Sequence, residues 1–478
     1  MPQAPTTETP VRVPLIIKPE SRTNNTNKDA NLINCYCEID KQSGKVHLYR
    51  RPGLLQWGIP PAGNATGQGV YWWNGAVYSV FNGILYKNLT QVATGLDNTA
   101  SYSFSSIMGS SPKMMLQNGA QGYSYNDTSL LSANLHSISS SYPQYTCKGI
   151  AYLDGTSYVL QHFFGTSITP AVIWGSQINL IDTAPAWDPL NFITAQMTPD
   201  SGVYLAKQLV YVVCLKEWST EFFYDAGNAT GSPLQAAQNL RLSYGCASQD
   251  SVQNVNDILL WVSTNREASN QVVMVQQAQL RIVSDANIDR LLRDVDMSAV
   301  YSWHMKIDGH AFYVVTFKNN NLTLAYDLNE NMWEQWTDTN GNYVPIVSST
   351  RDSAGHTILQ HESNGTLYYA STDYLDDNGS LIPITIVTPR FDANTSRNKQ
   401  VSRMNFVADM VPGSLMGVQV SDDDYQTWSQ PRYVDLSLQF PNLPNCGTFR
   451  RRAWKFTVGH NLPWRLEDVE LQFDMGTL

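Results

Sequence analysis

The chain has 478 residues, of which 15% are charged, and carries a formal net charge of −10. The length allows two or three domains, and the acidic balance argues against a protein that grips nucleic acid by neutralising phosphates. It still permits a wall past which a polyanion slides without sticking, because like charge keeps contacts weak.

Residues 1–30 read as an N-terminal arm, polar and Pro-punctuated, with the run Asn24-Asn25-Thr26-Asn27. Met1 to Pro14 lacks the basic and apolar regions of a secretory signal, and no stretch approaches the roughly 18–20 apolar residues of a membrane span. Residues 31–65 form an N-terminal strand segment that closes onto the large region beginning at residue 66. It holds Leu32-Ile-Asn-Cys-Tyr-Cys-Glu38 and Val46-His-Leu-Tyr-Arg-Arg-Pro-Gly-Leu-Leu55.

From 66 to 378 the pattern is a loose repeat: an apolar strand, a Gly/Asn turn, then a strand ending in an aromatic and a polar residue. Copies include Gly69-Val-Tyr-Trp-Trp-Asn-Gly, Thr220-Glu-Phe-Phe-Tyr-Asp, Leu322-Thr-Leu-Ala-Tyr-Asp and Asn364-Gly-Thr-Leu-Tyr-Tyr. Their spacing of roughly 40–50 residues is the period of a four-stranded propeller blade. Tight hairpins are signalled by Asn74-Gly75, Asn82-Gly83, Asp154-Gly155, Asp308-Gly309 and Asn364-Gly365, which accept positive φ. Leu209-Val-Tyr-Val-Val-Cys is continuously apolar, as expected of a strand covered on both faces.

One segment breaks the β pattern. Ile288, Leu291, Leu292 and Val295 recur at helical spacing behind Ser284 or Asp285 as N-cap, which predicts a short amphipathic helix that packs on the sheets. Residues 379–478 show longer alternating strands and read as a separate C-terminal β-sandwich-like domain. The fold class is therefore all-β: a propeller of six or seven blades, a C-terminal sandwich and one short helix.

Few constellations carry chemistry. The six cysteines make no disulfide framework in a chain this long, so reduced thiols are expected. Cys35 and Cys37 alternate onto one strand face without further ligands nearby, which favours buried small hydrophobes over a zinc site. No nucleophile elbow, P-loop, dinucleotide fingerprint or zinc-protease motif is present, so no catalytic residue, cofactor or metal is assigned. Asn-X-Ser/Thr triplets at Asn64, Asn88, Asn126, Asn228, Asn321, Asn364, Asn378 and Asn394 would suit glycosylation. Turn formation explains them as well in so Asn-rich a chain.

Ser421-Asp-Asp-Asp-Tyr-Gln-Thr-Trp428 resembles the Asp-box of sialidase-like propellers, with Tyr425 in place of glycine. In that resemblance the acid ties a hairpin turn and the Trp packs beneath it. The acids Asp422, Asp423 and Asp424 also suit calcium, with a solvated turn as the plainer reading. Arg450, Arg451 and Arg452 form the main basic cluster, read as an interaction site toward a neighbouring subunit rather than DNA.

In order along the chain, Asn34-Cys-Tyr-Cys-Glu38, Arg51-Pro-Gly-Leu54, Gly69-Val-Tyr-Trp-Trp-Asn-Gly, Gly83-Ile-Leu-Tyr-Lys, Trp218-Ser-Thr-Glu-Phe-Phe-Tyr, the helix at 288–295, Leu324-Ala-Tyr-Asp327, Gly365-Thr-Leu-Tyr and Arg451-Arg-Ala-Trp-Lys-Phe resemble the tail hub, or nozzle, proteins of short-tailed phages. These are also called tail accessory or packaged-DNA stabilisation proteins. The resemblance implies a non-enzymatic virion protein assembled in the host cytoplasm. It implies a homo-oligomeric ring, a hexamer, below the portal and head-to-tail adaptor. The ring would extend and close the DNA channel and carry fibres, spikes or a needle, while packaged DNA passes without specific binding. The alternatives are a carbohydrate-binding or sialidase-like propeller and a monomeric propeller interaction module.

Overall fold

The computed structural model describes residues 11–15, 30–42, 44–58, 63–109, 111–129, 134–162, 171–267 and 270–476. Most of the N-terminal arm, including the 24–27 run, lies outside them. Seven blade sheets follow one another from Gly67 to Ser371. Blade 1 runs from Gly67–Trp73 to Thr90–Ala93, and blade 2 has three strands from Ser103–Ile107 to Gly122–Tyr125. Blade 3 spans Ala151–Leu153 to Trp187–Ala195, blade 4 Gly202–Gln208 to Leu234–Leu242, and blade 5 Gln253–Val255 to Gln279–Ile282. Blade 6 spans Val300–Ile307 to Met332–Trp336, and blade 7 spans Ile346–Arg351 to Leu367–Ser371.

The turn dipeptides do what their chemistry allows. Asn74-Gly75, Asn82-Gly83, Asp154-Gly155 and Asp308-Gly309 all hold positive φ at both residues, the two-residue turn that matches strand twist. Three more hairpins achieve the same geometry without glycine, through Asn88-Leu89, Asn256-Asp257 and Gln277-Ala278. The apolar run from Leu209 divides differently from its sequence reading. Leu209 has φ +52 and is exposed with Val210, so the strand begins at Tyr211, and hydrophobic residues occupy a surface turn.

Packing follows from the alternation of strands covered on both faces. Each junction between consecutive blades is filled by its own apolar cluster, including the closing junction between blades 7 and 1, where Val70 and Val77 meet Ile358 and Leu367. The helix forms at Ala286–Arg293, capped by Asp285, whose carboxylate accepts from the Asn287 and Ile288 amides at 2.9 and 3.0 Å. It inserts Ile288 and Leu292 into the junction of blades 5 and 6.

The ring is closed by the N-terminal segment. Gly53–Gln56 adds to blade 7 as an antiparallel strand, with Leu55 opposite Tyr369. Cys35–Ile39 and Val46–Arg50 instead join the sandwich, in a sheet with Lys399–Ala408, Asn442–Phe449 and Arg465–Met475. The facing sheet is an outward extension of blade 6. Beyond Met332–Trp336 come Asn31–Ile33, Ile384–Val387, Ala453–Val458, Leu415–Ser421 and Arg432–Asp435, giving nine strands. Cys35 and Cys37 point together into the sandwich core while Tyr36 points into the junction of blades 6 and 7. Burial pushes the Cys37 thiol up to about 12.

Candidate assembly surfaces

Three places concentrate polar or exposed groups: the propeller axis, the clasp between propeller and sandwich, and the outer edge of the sandwich. On the axis, the first strands of the blades line a polar cavity of about 210 Å³. Buried Lys148 Nζ reaches the half-buried Asp250 Oδ1 at 2.5 Å and donates to Ser101 Oγ at 2.6 Å, so an ion pair bridges the cavity wall. The Asp250 segment is itself pinned to blade 6, because Ser302 Oγ donates to Asp250 O at 2.6 Å and Tyr313 Oη donates to Ser251 O at 2.7 Å. Among the described residues, the inner strands are thus cross-linked around this cavity by Lys148, Asp250 and Ser302.

The clasp is built on two residues of the N-terminal segment. Asn34 is fully buried with φ +57. Its amide group donates to Thr337 Oγ1 and Pro383 O, and its oxygen accepts from the Thr337 amide and Arg51 Nε. Arg51, 3% exposed, holds Asp377 with both terminal nitrogens at 3.0 and 2.6 Å and donates to Thr337 O at 3.0 Å. Its guanidinium lies over the Trp336 ring, 5.9 Å from the centroid. One buried network therefore joins the N-terminal segment, the last strand of blade 6 and the start of the sandwich. Asn34 and Arg51 show no such role in the sequence, since their partners lie some 300 residues away.

The Asp-box-like turn forms. Asp423 accepts from the Thr427 amide at 3.0 Å and the Thr427 hydroxyl at 2.5 Å, and Ser421 Oγ accepts from the Tyr425 amide at 2.9 Å. The Thr427 hydrogen bonds, followed by the Ser421 hydroxyl, hold the Asp423 carboxyl down to about 2. Asp424 and Tyr425 take positive φ, +63 and +71, where the motif's glycine would sit. The neighbouring acids face the arginine cluster. Arg452 is buried, grips Asp422 bidentately at 2.7 Å through Nε and Nη2, and stacks on Phe449. Arg451 pairs with Asp424. Arg450 is exposed and makes no ion pair among the described residues. The acidic and basic runs thus largely neutralise each other within the sandwich, and of the three arginines Arg450 is the one left open to a partner. Among the described residues no group of three or more His, Cys, Asp or Glu is arranged to hold a metal.

Two groups stand out among the exposed apolar side chains. At the outer end of the sandwich stand Met410, Leu415, Tyr433, Leu438 and Phe440, with Tyr433 67% and Phe440 77% exposed. Their loops are held together: the Leu436 amide donates to Ser414 O, Leu415 pairs with Asp435, and the Phe406 amide donates to Pro441 O. The second group is Ile178, Leu190 and Phe192 on blade 3, with Met108 at the end of the first strand of blade 2. No helix among the described residues is long and apolar enough to cross a membrane.

The triplet asparagines are turn residues. Asn64, Asn88, Asn321, Asn378 and Asn394 hold positive φ, and Asn126 and Asn364 accept amides two residues ahead, from Thr128 and Thr366.

Comparison with known proteins gives one sequence-level match. No curated protein matches the chain in sequence. Among solved structures, streptogramin B lyase is similar at 10% identity with a TM-score of 0.38, covering 67% of this chain and 96% of that one. PorZ, a surface component of the type-IX secretion system of Porphyromonas gingivalis, is similar at 12% identity with a TM-score of 0.37. That alignment covers 74% of this chain and 44% of PorZ. The family model described as Bacteriophage P22 Gp10, beta-propeller, matches residues 13–344, from the N-terminal arm through blade 6. That is well over half of the molecule, and the chain belongs to this phage stabilisation β-propeller family.

Proposed function

We propose that the protein is a structural component of the virion, the hub or nozzle of a short phage tail. Six copies form a ring below the portal and adaptor, extend and close the DNA channel, and carry fibres, spikes or a needle. The observation that carries this reading is the family match over 13–344. The closed axis is consistent with it in one specific way. The inner strands converge on a cavity of about 210 Å³ bridged by the Lys148–Asp250 pair, too small for a duplex, so DNA would run between copies rather than through a propeller. A wall formed by a chain of net charge −10 would let that DNA slide. The Asp-box-like turn supplies no catalytic group to the glycan-processing alternative, since Asp423 ties the turn and Asp422 and Asp424 pair with Arg452 and Arg451.

The test is to purify particles made from the genome that encodes the chain and label them with gold-conjugated antibody to it. Label at the tail vertex, in several copies per particle, is the expected result. Particles free of the chain, with all of it recovered as unassembled protein, would overturn the proposal.

A further inference from the structure

One lysine of blade 4 is sealed from solvent together with two acids. Lys216 ends the strand Tyr211–Lys216, and Glu221 lies in the next strand, Thr220–Asp225. Asp200 lies in the linker between blade 3 and the first strand of blade 4. The three side chains are 0%, 1% and 0% exposed in that order. Every other lysine ion pair among the described residues keeps a member in contact with solvent, as at Lys87, Lys113, Lys148 and Lys318.

Lys216 Nζ stands 2.8 Å from Asp200 Oδ1, one bond away from the carboxyl carbon Cγ, and 2.7 Å from Glu221 Oε1. It also donates to Thr198 O at 2.6 Å. Asp200 is held from the other side. The Trp218 amide donates to Oδ2 at 2.9 Å, and the Ser219 hydroxyl donates to the same oxygen at 3.1 Å. Glu221 Oε2 is buried with no hydrogen-bond partner among the described residues. Two carboxyl groups therefore share one amine in a site closed to solvent, and one of them has an oxygen to spare.

We propose that Lys216 and Asp200 condense into an isopeptide bond, with Glu221 as the proton carrier. Glu221 takes a proton from Nζ, which frees the nitrogen lone pair to attack Asp200 Cγ. Negative charge grows on Oδ2, where the Trp218 amide and the Ser219 hydroxyl already point. The Cγ–Oδ1 bond then breaks, and the oxygen leaves as water with two of the three ammonium protons, passed on through Glu221. The third stays on the amide nitrogen and can donate to Thr198 O. Nothing is oxidised or reduced, and Glu221 ends as it began. Groups held in such contact react with effective concentrations of about 10⁵–10⁸ M. The bond pins the linker from blade 3 to the second strand of blade 4, so the joint between the two blades resists being pulled open.

The experiment is mass spectrometry of the purified full chain, intact and after trypsin. The chain should be one water lighter than its sequence. Trypsin should fail to cut after Lys216, and peptide 149–207 should be recovered joined to 208–241 through Asp200 and Lys216. Glu221→Gln should restore the full mass and cleavage after Lys216, with a cooperative thermal transition showing that it folds. Asp200→Asn keeps a reactive carbonyl and should give the same branched peptide with loss of ammonia in place of water. A parent chain of full mass that is cut after Lys216 would overturn the proposal. So would a missing water confined to 149–207 with Lys216 cut normally, since that marks Asp200 closing on its own backbone. A branched peptide that persists in Glu221→Gln would remove Glu221 from its role. All of these are read on the purified chain and are independent of the tail location.

Discussion

Replacing Arg51 by alanine should open the propeller at one place. The guanidinium donates to Asn34 Oδ1, Pro52 O, Thr337 O and both oxygens of Asp377, and it is 3% exposed. Arg51→Ala leaves the Asp377 carboxylate, 19% exposed, without its cation and strips a partner from Asn34. Breaking a buried, hydrogen-bonded charge pair by removing one member costs about 3–5 kcal/mol. The residual exposure of Asp377 favours the lower end. Because Arg51 immediately precedes the closing strand Gly53–Gln56, the loss falls on the seam of blade 7. At about 1.4 kcal/mol per decade, local opening there should rise about 10²- to 10³-fold. Native-state hydrogen exchange reads this directly. Amides of Trp57, which donates to Leu367 O across the seam, and of Tyr369, which faces Leu55, should exchange faster by that factor, while blade 3 amides such as Val159 keep their protection. Arg51→Lys should fall between, since an ammonium cannot grip both carboxylate oxygens. Unchanged exchange at Tyr369 in Arg51→Ala, or a uniform rise over the whole ring, would refute the clasp.

Three further outcomes are expected. Gln277→Asn with Ala278→Gly, at a turn with φ +50 and +59, should raise stability by about 1 kcal/mol in urea unfolding, because the left-handed conformation strains alanine but not glycine. Lys216 is fully buried between Asp200 Oδ1 at 2.8 Å and Glu221 Oε1 at 2.7 Å, so Lys216→Met should strand two carboxylates and cost about 3–5 kcal/mol, read as a lowered urea midpoint. Glu334 is fully buried, and burial followed by the Asp327 charge raises its carboxyl well above the ordinary 4.5. The folded state therefore holds this proton more tightly than the unfolded one. The stability it contributes is complete below about 4.5 and is lost as pH rises through the folded value. Glu334→Gln should flatten that decline, and denaturation midpoints that fall equally steeply with pH in both proteins would refute the assignment.

What the sequence shows of this fold is whatever is local. Asn-Gly and Asp-Gly pairs impose their turn wherever they stand, so four of the five hairpin signals and the repeat they punctuate are readable directly. The helix is equally local, since Asp285 caps the first amides of its opening turn and Ile288 and Leu292 share a face. Gln277-Ala278 is invisible because tertiary pairing of its strands overrides the residues' own preference. The Leu209-Val210 turn is disguised as strand by its hydrophobicity. Long-range partnerships leave no trace in one chain: Arg51 with Asp377, Asn34 with Thr337, or the closing strand with blade 7. The arginine cluster shows the same limit. Three adjacent arginines read as one basic patch, yet strand alternation and the Asp-box turn send Arg452 inward to Asp422 and Arg451 to Asp424. The exposed apolar ends are visible only once burial is known, because Phe440 and Leu190 look no different in sequence from core residues.

A propeller that serves as a wall element of a phage tail must be repeated around the DNA path. Electron cryomicroscopy of the particles, reconstructed at the tail vertex, tests this most directly. The expected density is a closed ring of these chains beneath the adaptor, with DNA on the symmetry axis of the ring and every propeller axis blocked at Lys148 and Asp250. Density for a single copy off the tail axis, or a tail assembled without this chain, would contradict it.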